Sequence, residues 1–196
     1  MGRKSKAKVR QKEILSHFYD VIIDEGFEGA SIAKIAKRMD VNPSLLIHYF
    51  STKDAMVVGL MDHIVSTYSA QLFPDFSKVT DPAERWEDVI DVSSRIQWDR
   101  IMNSTVFFSF YTLALRMPEI KQRFNALYDG ILETLTDEIG QASKAGVIKV
   151  DSPSQAAEKM VSIIEGYNFY YNLKPDGDDA DKRAEVLKGV LSGLFA

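Results

Sequence analysis

Apolar residues recur at intervals of three and four along nearly the whole chain, and no strict apolar–polar alternation is sustained. That pattern predicts an all-α protein. Val9, Ile14, Phe18, Val21 and Ile22 mark one face of a helix over residues 8–25, with Gly26 as its C-terminal cap. Two short helical patterns follow. Ser31 caps the first, which carries Ile32, Ile35, Ala36 and Met39. Asn42 caps the second, with Pro43 at the first helical position, where a missing N–H costs nothing, and Leu45, Leu46, Tyr49 and Phe50 as its stripe. Ser51-Thr52-Lys53-Asp54 has the spacing of a capping box, with Asp for the usual Glu. It opens a helix over 53–71 through Met56, Val57, Leu60, Met61, Ile64 and Tyr68.

Residues 74–82 read as a loop. Longer helices then span about 82–97, 98–117 and 118–146, the last carrying Ile120, Phe124, Leu127, Ile131, Leu135 and Ile139. Ser152-Pro153 starts another, through Met160, Ile164, Tyr167 and Tyr171. After a Pro/Gly/Asp-rich loop over 174–181, a final helix uses Val186, Leu187, Val190, Leu191 and Leu194. The expected architecture is about nine helices: a three-helix N-terminal module, a fourth helix joining it to a larger bundle, and domains at 1–52 and 53–196. Two short helices, a tight turn and small polar residues opening the second make a helix-turn-helix, a motif that sets the start of its second helix in the DNA major groove.

Charge sharpens this reading. The 196 residues carry a net charge of −4, but residues 1–12 hold six basic residues (Arg3, Lys4, Lys6, Lys8, Arg10, Lys12) and no acidic one. Residues 1–53 have a net charge of +4 and residues 54–196 a net charge of −8. A basic end on an acidic body fits an anion-binding module attached to something else. The first residues read either as a solvated, disordered tail or as an arm that orders on DNA, and the two are compatible. The chain has no cysteine, which excludes disulfides and thiolate chemistry. No apolar run follows the basic N-terminus, and the most apolar stretch, 106–115, is too short for a bilayer, so a cytoplasmic protein is expected. Catalysis finds no support: His17, His48 and His63 have no triad or metal spacing, and neither a Gly-rich phosphate loop nor a Glu-x-x-His pair is present. No catalytic residue, metal site or cofactor is expected.

The stretch from Ile14 to Lys53 resembles the TetR family of bacterial transcriptional regulators. The resemblance is carried by Glu25-Gly26-Phe27 at the first helix end, Ser31 with Ile35-Ala36 in the second helix, and the turn Asp40-Val41-Asn42. Leu46-Ile47-His48-Tyr49-Phe50-Ser51-Thr52-Lys53 matches the family's Leu-x-x-His-Phe-x-x-Lys region. Asp40 replaces the usual turn glycine, and Asp tolerates the left-handed conformation better than most residues. Tyr49 stands where the family often has His, and His48 where it often has Tyr. Beyond residue 60 the likeness is architectural.

Base edges are then expected to meet Asn42, Ser44 and His48, with Pro43 and Leu45 against thymine methyls. Asn42 also reads as a plain cap, and Leu45 as core. Phosphate is expected at Ser31, Tyr49, Lys53 and the basic residues Arg3, Lys4, Lys6 and Lys8. Lys53 reads alternatively as an exposed helix-start lysine, and Lys34, Lys37 and Arg38 as solvated. The resemblance implies an inducer pocket between the later helices. The candidates are Trp98, Phe107, Tyr111, Tyr128, Asn168 and Tyr171, with Glu165 or Asp99 to pair a cationic ligand, although such an aromatic stripe also reads as core.

One motif reads too few bases for specificity, so a homodimer on an inverted repeat of double-stranded DNA is expected. Its interface is the last two helices, where Gly166, Gly189 and Gly193 permit close approach; the alternative is that these helices only close the monomer core. The reading is a repressor released by a small, mainly hydrophobic or aromatic inducer. The alternatives are a DNA-binding regulator controlled by a protein partner, or an all-helical enzyme or carrier.

Overall fold

The computed structural model describes residues 3–96, 102–174 and 179–195, and among them gives the backbone alone for 3–5 and 68–71. The described residues form nine α-helices and one 3-10 turn, with no strand. The chain divides into two compact units, Met1–Ser69 with Ile101–Asn125, and Ala70–Arg100 with Ala126–Ala196.

The first unit opens with α1 (Arg3–Gly29), interrupted at Gly26, whose φ of 73° is left-handed. The arm, which reads either as a tail or as a segment that orders on DNA, is helical from Arg3. The physical reason is local: the segment up to Asp24 has no Gly or Pro after Gly2, and the ten residues from Arg3 to Lys12 are mostly Lys and Arg, both good helix formers. Ile14, Phe18 and Ile22 of α1 are fully buried. Next comes α2 (Ile32–Arg38), with the Ser31 hydroxyl accepting from the Lys34 N–H. It ends in a Schellman motif: Val41 N–H bonds Ala36 O at 3.0 Å and Asp40 N–H bonds Lys37 O at 3.2 Å. Asp40 takes the glycine position of that motif at φ 53°. The turn between the two short helices is thus set by hydrogen bonds despite the missing glycine.

After α3 (Pro43–Tyr49), α4 (Lys53–Leu72) begins at the expected residue. Thr52, not Ser51, caps it, with Oγ1 accepting the Ala55 N–H at 3.0 Å. Gly59 on α4 allows close approach, since a Cβ there would lie 3.1 Å from the Phe50 ring. The same unit contains α6 (Ser104–Ala114), which packs on α1, and the first turns of α7 (Pro118–Lys144). The expected start near 98 falls outside the described residues; the described helix starts after Asn103, whose side chain accepts the Thr105 N–H.

Two polar ties close this unit. Tyr19 Oη accepts the Asn103 N–H at 2.8 Å, and Arg123 clasps Asp62 through two bonds of 2.5 and 2.9 Å. Tyr19→Phe keeps the ring and orphans that N–H, so it should lower unfolding free energy by about 1 kcal/mol in urea melts.

In the second unit, the stretch expected as a loop contains a 3-10 turn (Phe76–Lys78) that anchors itself by burying Phe76. The α5 helix (Pro82–Ser94) is capped by Asp81, whose carboxylate accepts from the Ala83 and Glu84 N–H groups, both at 2.9 Å. The remainder of α7 ends at Gly146 (φ 76°) in a second Schellman motif. Ser152 and Pro153 start α8 (Pro153–Tyr171), and Asp179 caps α9 (Ala180–Gly193). The α9 helix packs on α5 and α8, and Val89, Leu135, Ala157, Met160 and Leu191 are fully buried. Asp91 on α5 binds Arg95 at 2.8 Å and Lys188 of α9 at 2.9 Å, and both cations hold its carboxyl below the usual carboxylate range. No helix among the described residues is long and apolar enough to cross a membrane.

Candidate nucleic-acid interface

The α3 helix is seven residues long and has two contrasting sides. At about 100° per residue, Pro43, Ile47, Ser44 and His48 span an arc of about 140°, with Leu45, Tyr49 and Leu46 on the other side. All four residues of the first arc are exposed. On the second, Leu46 is fully buried, and Leu45 and Tyr49 are half-buried. Leu45 therefore belongs with the inward-facing residues, and Ile47, which the sequence reading passed over, is the exposed branched residue. The signal was available: Ile47 lies four residues after Pro43 and off the Leu45/Leu46/Tyr49 stripe. Asn42 Oδ1 accepts the Ser44 N–H at 2.9 Å, so Asn42 is a cap. Its exposed amide keeps two further donors for a base or phosphate.

The cations sort themselves. Lys34 is bonded to Glu25, and Arg38 to Asp24 with Asp20 nearby, which ties α2 to α1 and occupies both side chains. Lys37 is exposed. Lys53 is not a free helix-start lysine: its ammonium donates to the Phe27 carbonyl at 3.1 Å and lies 4.5 Å from the centre of the Phe27 ring. An ammonium has three donors, so two remain. Ser31 is half-buried and used as a cap, and Tyr49 meets the His48 ring edge-on at 5.2 Å. Lys6 and Lys8 are exposed on α1; the side chains of Arg3 and Lys4 lie outside the described residues.

His63 on α4 is half-buried and feels the charge of Lys12 on α1. Burial first, and the Lys12 charge second, hold the imidazole below its ordinary value near 6.5. An imidazole with a lowered folded value binds its proton more readily in the unfolded chain, so it contributes stability above about 6.5 that is lost as pH falls through that window. His63→Gln should therefore flatten the loss of stability between about pH 7.5 and 5.5, as read by urea melts at both ends.

The ligand candidates are divided between the units. In the first, Phe107 is buried in an aromatic group, stacked on Tyr111 at 6.4 Å and edge-on to Phe124 at 5.9 Å, while Tyr111 is half exposed. In the second, the buried Asn168 amide donates to the Ile96 carbonyl at 3.0 Å, a structural tie between α8 and the end of α5. Tyr171 packs against Tyr167 with ring centroids 4.4 Å apart, and Arg183 lies 5.5 Å over it. Ser94, Tyr167, Asn168, Tyr171, Arg183 and Leu187 enclose about 10 Å³, the room of one water. Arg183, absent from the sequence reading, leaves its buried Nε without a partner there. Tyr128 and Glu165 are half-buried. Trp98 and Asp99 lie outside the described residues. A separate cavity of about 150 Å³, lined by Arg85, Trp86, Glu138 and Gln141 among others, contains none of these candidates. Among the described residues no group of His, Asp and Glu is arranged to hold a metal ion.

Residues 14–60 match the family model described as bacterial regulatory proteins, tetR family, and residues 84–194 match the tetracyclin repressor-like C-terminal domain. The HTH-type transcriptional regulator PksA of Bacillus subtilis (strain 168) is 24% identical over 179 residues, 91% of this chain and 86% of that protein. A protein from Saccharomonospora viridis, solved in complex with choline, shares the fold with a TM-score of 0.81 at 17% identity, over 94% of this chain and 96% of the other. AibR, solved with isovaleryl coenzyme A and operator DNA, superposes with a TM-score of 0.70 at 21% identity, over 93% and 97% of the two chains.

Proposed function

The chain belongs to the TetR family of bacterial transcriptional regulators, and on that premise we propose a homodimeric cytoplasmic repressor that a small, mainly hydrophobic or aromatic ligand releases from an inverted-repeat operator. The observation that carries the DNA half is the α3 arc. Four exposed side chains share one side of a helix held by a cap at its start, a Schellman turn before it and a buried Leu46 behind it. Base contacts are assigned to Pro43, Ser44 and His48, with the Asn42 amide beside them. Phosphate is assigned to Ser31, Tyr49, the two remaining donors of Lys53, and Arg3, Lys4, Lys6 and Lys8.

Dimerisation is supported by the two-sided character of α8 and α9. Both bury one side, with Met160 and Ile164 on α8 and Leu187 and Leu191 on α9. Yet Phe169, Tyr170 and Leu173 remain 53–76% exposed, and Val186, Val190 and Leu194 remain 39–49% exposed. Closing a monomer core needs only the first side of each helix. A Cβ at Gly166, Gly189 or Gly193 would meet nothing within 4 Å, so a second helix can approach there.

Ligand control is supported by the choline and isovaleryl coenzyme A complexes of two proteins of the same fold. The candidate residues are Trp98, Phe107, Tyr111, Tyr128, Glu165, Asn168 and Tyr171. A ligand releases DNA only if it binds the DNA-incompatible dimer more tightly than the competent one. The test is a panel of quaternary ammonium compounds, acyl-coenzyme A esters and aromatic cations, read by melting temperature and by operator affinity. At least one class should raise the first and lower the second; a panel that moves neither contradicts the ligand half.

A further inference from the structure

We propose that Ile47 reads the 5-methyl group of a thymine in the operator half-site, making it a specificity-determining residue of α3. The inference rests on α3 being the helix that enters the major groove.

Ile47 is 53% exposed. Its place on the exposed arc, between Pro43 and Ser44 and next to His48, distinguishes it from scattered surface hydrophobics. Helix formation does not account for it, because a β-branched side chain is a mediocre helix former and α3 has only seven residues. Packing does not account for it either: Leu45, Leu46 and Tyr49 occupy the inward side. A major-groove edge is otherwise hydrogen-bonding, and the thymine methyl is its one apolar feature. Ile47 also stands four residues, slightly more than one turn, after Pro43 at the helix start, on the side that the capped end presents. Ser44 and His48 on the same arc supply the polar contacts, leaving Ile47 with the apolar one.

Replacing thymine by uracil deletes only that methyl group. Full-length protein and a selected operator are therefore titrated by fluorescence anisotropy, with each thymine of the half-site changed to uracil in turn, against the unaltered chain, Ile47→Ala and Ile47→Val. One uracil substitution should weaken the unaltered protein about fourfold, the worth of one buried methyl-sized group, and leave Ile47→Ala unchanged. Ile47→Val should retain part of the effect. Far-UV circular dichroism of both variants checks that α3 and its surroundings still fold.

The inference is overturned if the unaltered protein is indifferent to every uracil, if the sensitive position is equally sensitive in Ile47→Ala, or if the selected half-site has no thymine. Selection that yields no preferred sequence at all overturns the operator reading itself, and this inference with it.

Discussion

Glu138→Ala should destabilise the second unit by about 3 kcal/mol, the low end of the range for breaking a buried ion pair. Arg85 Nε and Nη2 donate to the two Glu138 oxygens at 2.7 and 2.6 Å, a bidentate fork that joins α5 to α7 within that unit. The side chains are only 17% and 10% exposed. Removing the carboxylate leaves a guanidinium largely out of water without its counter-charge, which costs far more than the pair itself contributes. The same logic makes the paired replacement Arg85→Met with Glu138→Leu close to neutral. Trp86 lines the same cavity and packs edge-on against Phe195 at 4.9 Å, so its fluorescence follows the unfolding in urea. A loss below about 1 kcal/mol would mean that the pair is screened like a surface bridge.

Val190→Asp should turn the dimer into a monomer and weaken operator binding about 100-fold or more. Val190 lies at the middle of a Val186, Val190, Leu194 stripe that runs along α9 to its C-cap, where each residue is one turn from the next and 39–49% exposed. In the proposed interface a carboxylate there would be buried against an apolar partner surface without a counter-charge. Each reading head would then bind alone, and the second half-site would lose the high effective concentration that linkage provides, typically a factor of 10² to 10⁴. Light scattering gives the mass, and operator titration gives the affinity. A dimer that survives the change with unaltered DNA binding would place the interface elsewhere. The neighbouring Leu191 is fully buried, so the same change there should unfold the unit and is no substitute.

Much of the fold was legible because helix ends are written locally. Ser31, Asn42 and Ser152-Pro153 start helices where the sequence places them, and Gly26, Asp40 and Gly146 adopt the positive φ expected of helix ends. The family resemblance read from Ile14 to Lys53 agrees with the family model matched over residues 14–60. Where periodicity weakens, the reading weakened with it. The N-terminal arm reads both as a tail and as a DNA-ordered arm because its six positive charges overlie a run of helix formers. The 3-10 turn at Phe76–Lys78 hid in a Pro- and Asp-rich stretch with one buried ring.

The ties that hold each unit leave no periodic trace. Tyr19 to Asn103, Arg85 to Glu138 and Asp91 to Lys188 join residues 84, 53 and 97 apart in the chain. In the candidate site, caps and arc are readable, but the bond from Lys53 to a backbone carbonyl 26 residues away leaves no trace in the local pattern. Leu45 reads either as a thymine contact or as core, and helical angle together with its half-buried side chain favours the second. The ligand candidates rest on aromatic density and on the pocket that the family resemblance implies, and density does not tell a self-packed group such as Phe107, Tyr111 and Phe124 from a cavity wall.

The central claim is that the α3 arc reads a specific sequence as part of a dimer. Selection of genomic fragments by the purified protein, followed by titration of the recovered sequence across a range of salt, tests it most directly. The account predicts a short inverted repeat bound by one dimer, weakened by Ser44→Ala or Tyr49→Ala, with a preference that persists as salt reduces affinity. Binding without sequence preference and with a steep salt dependence would contradict it, because phosphate contact by the basic end of α1 would then be all that the protein makes with DNA.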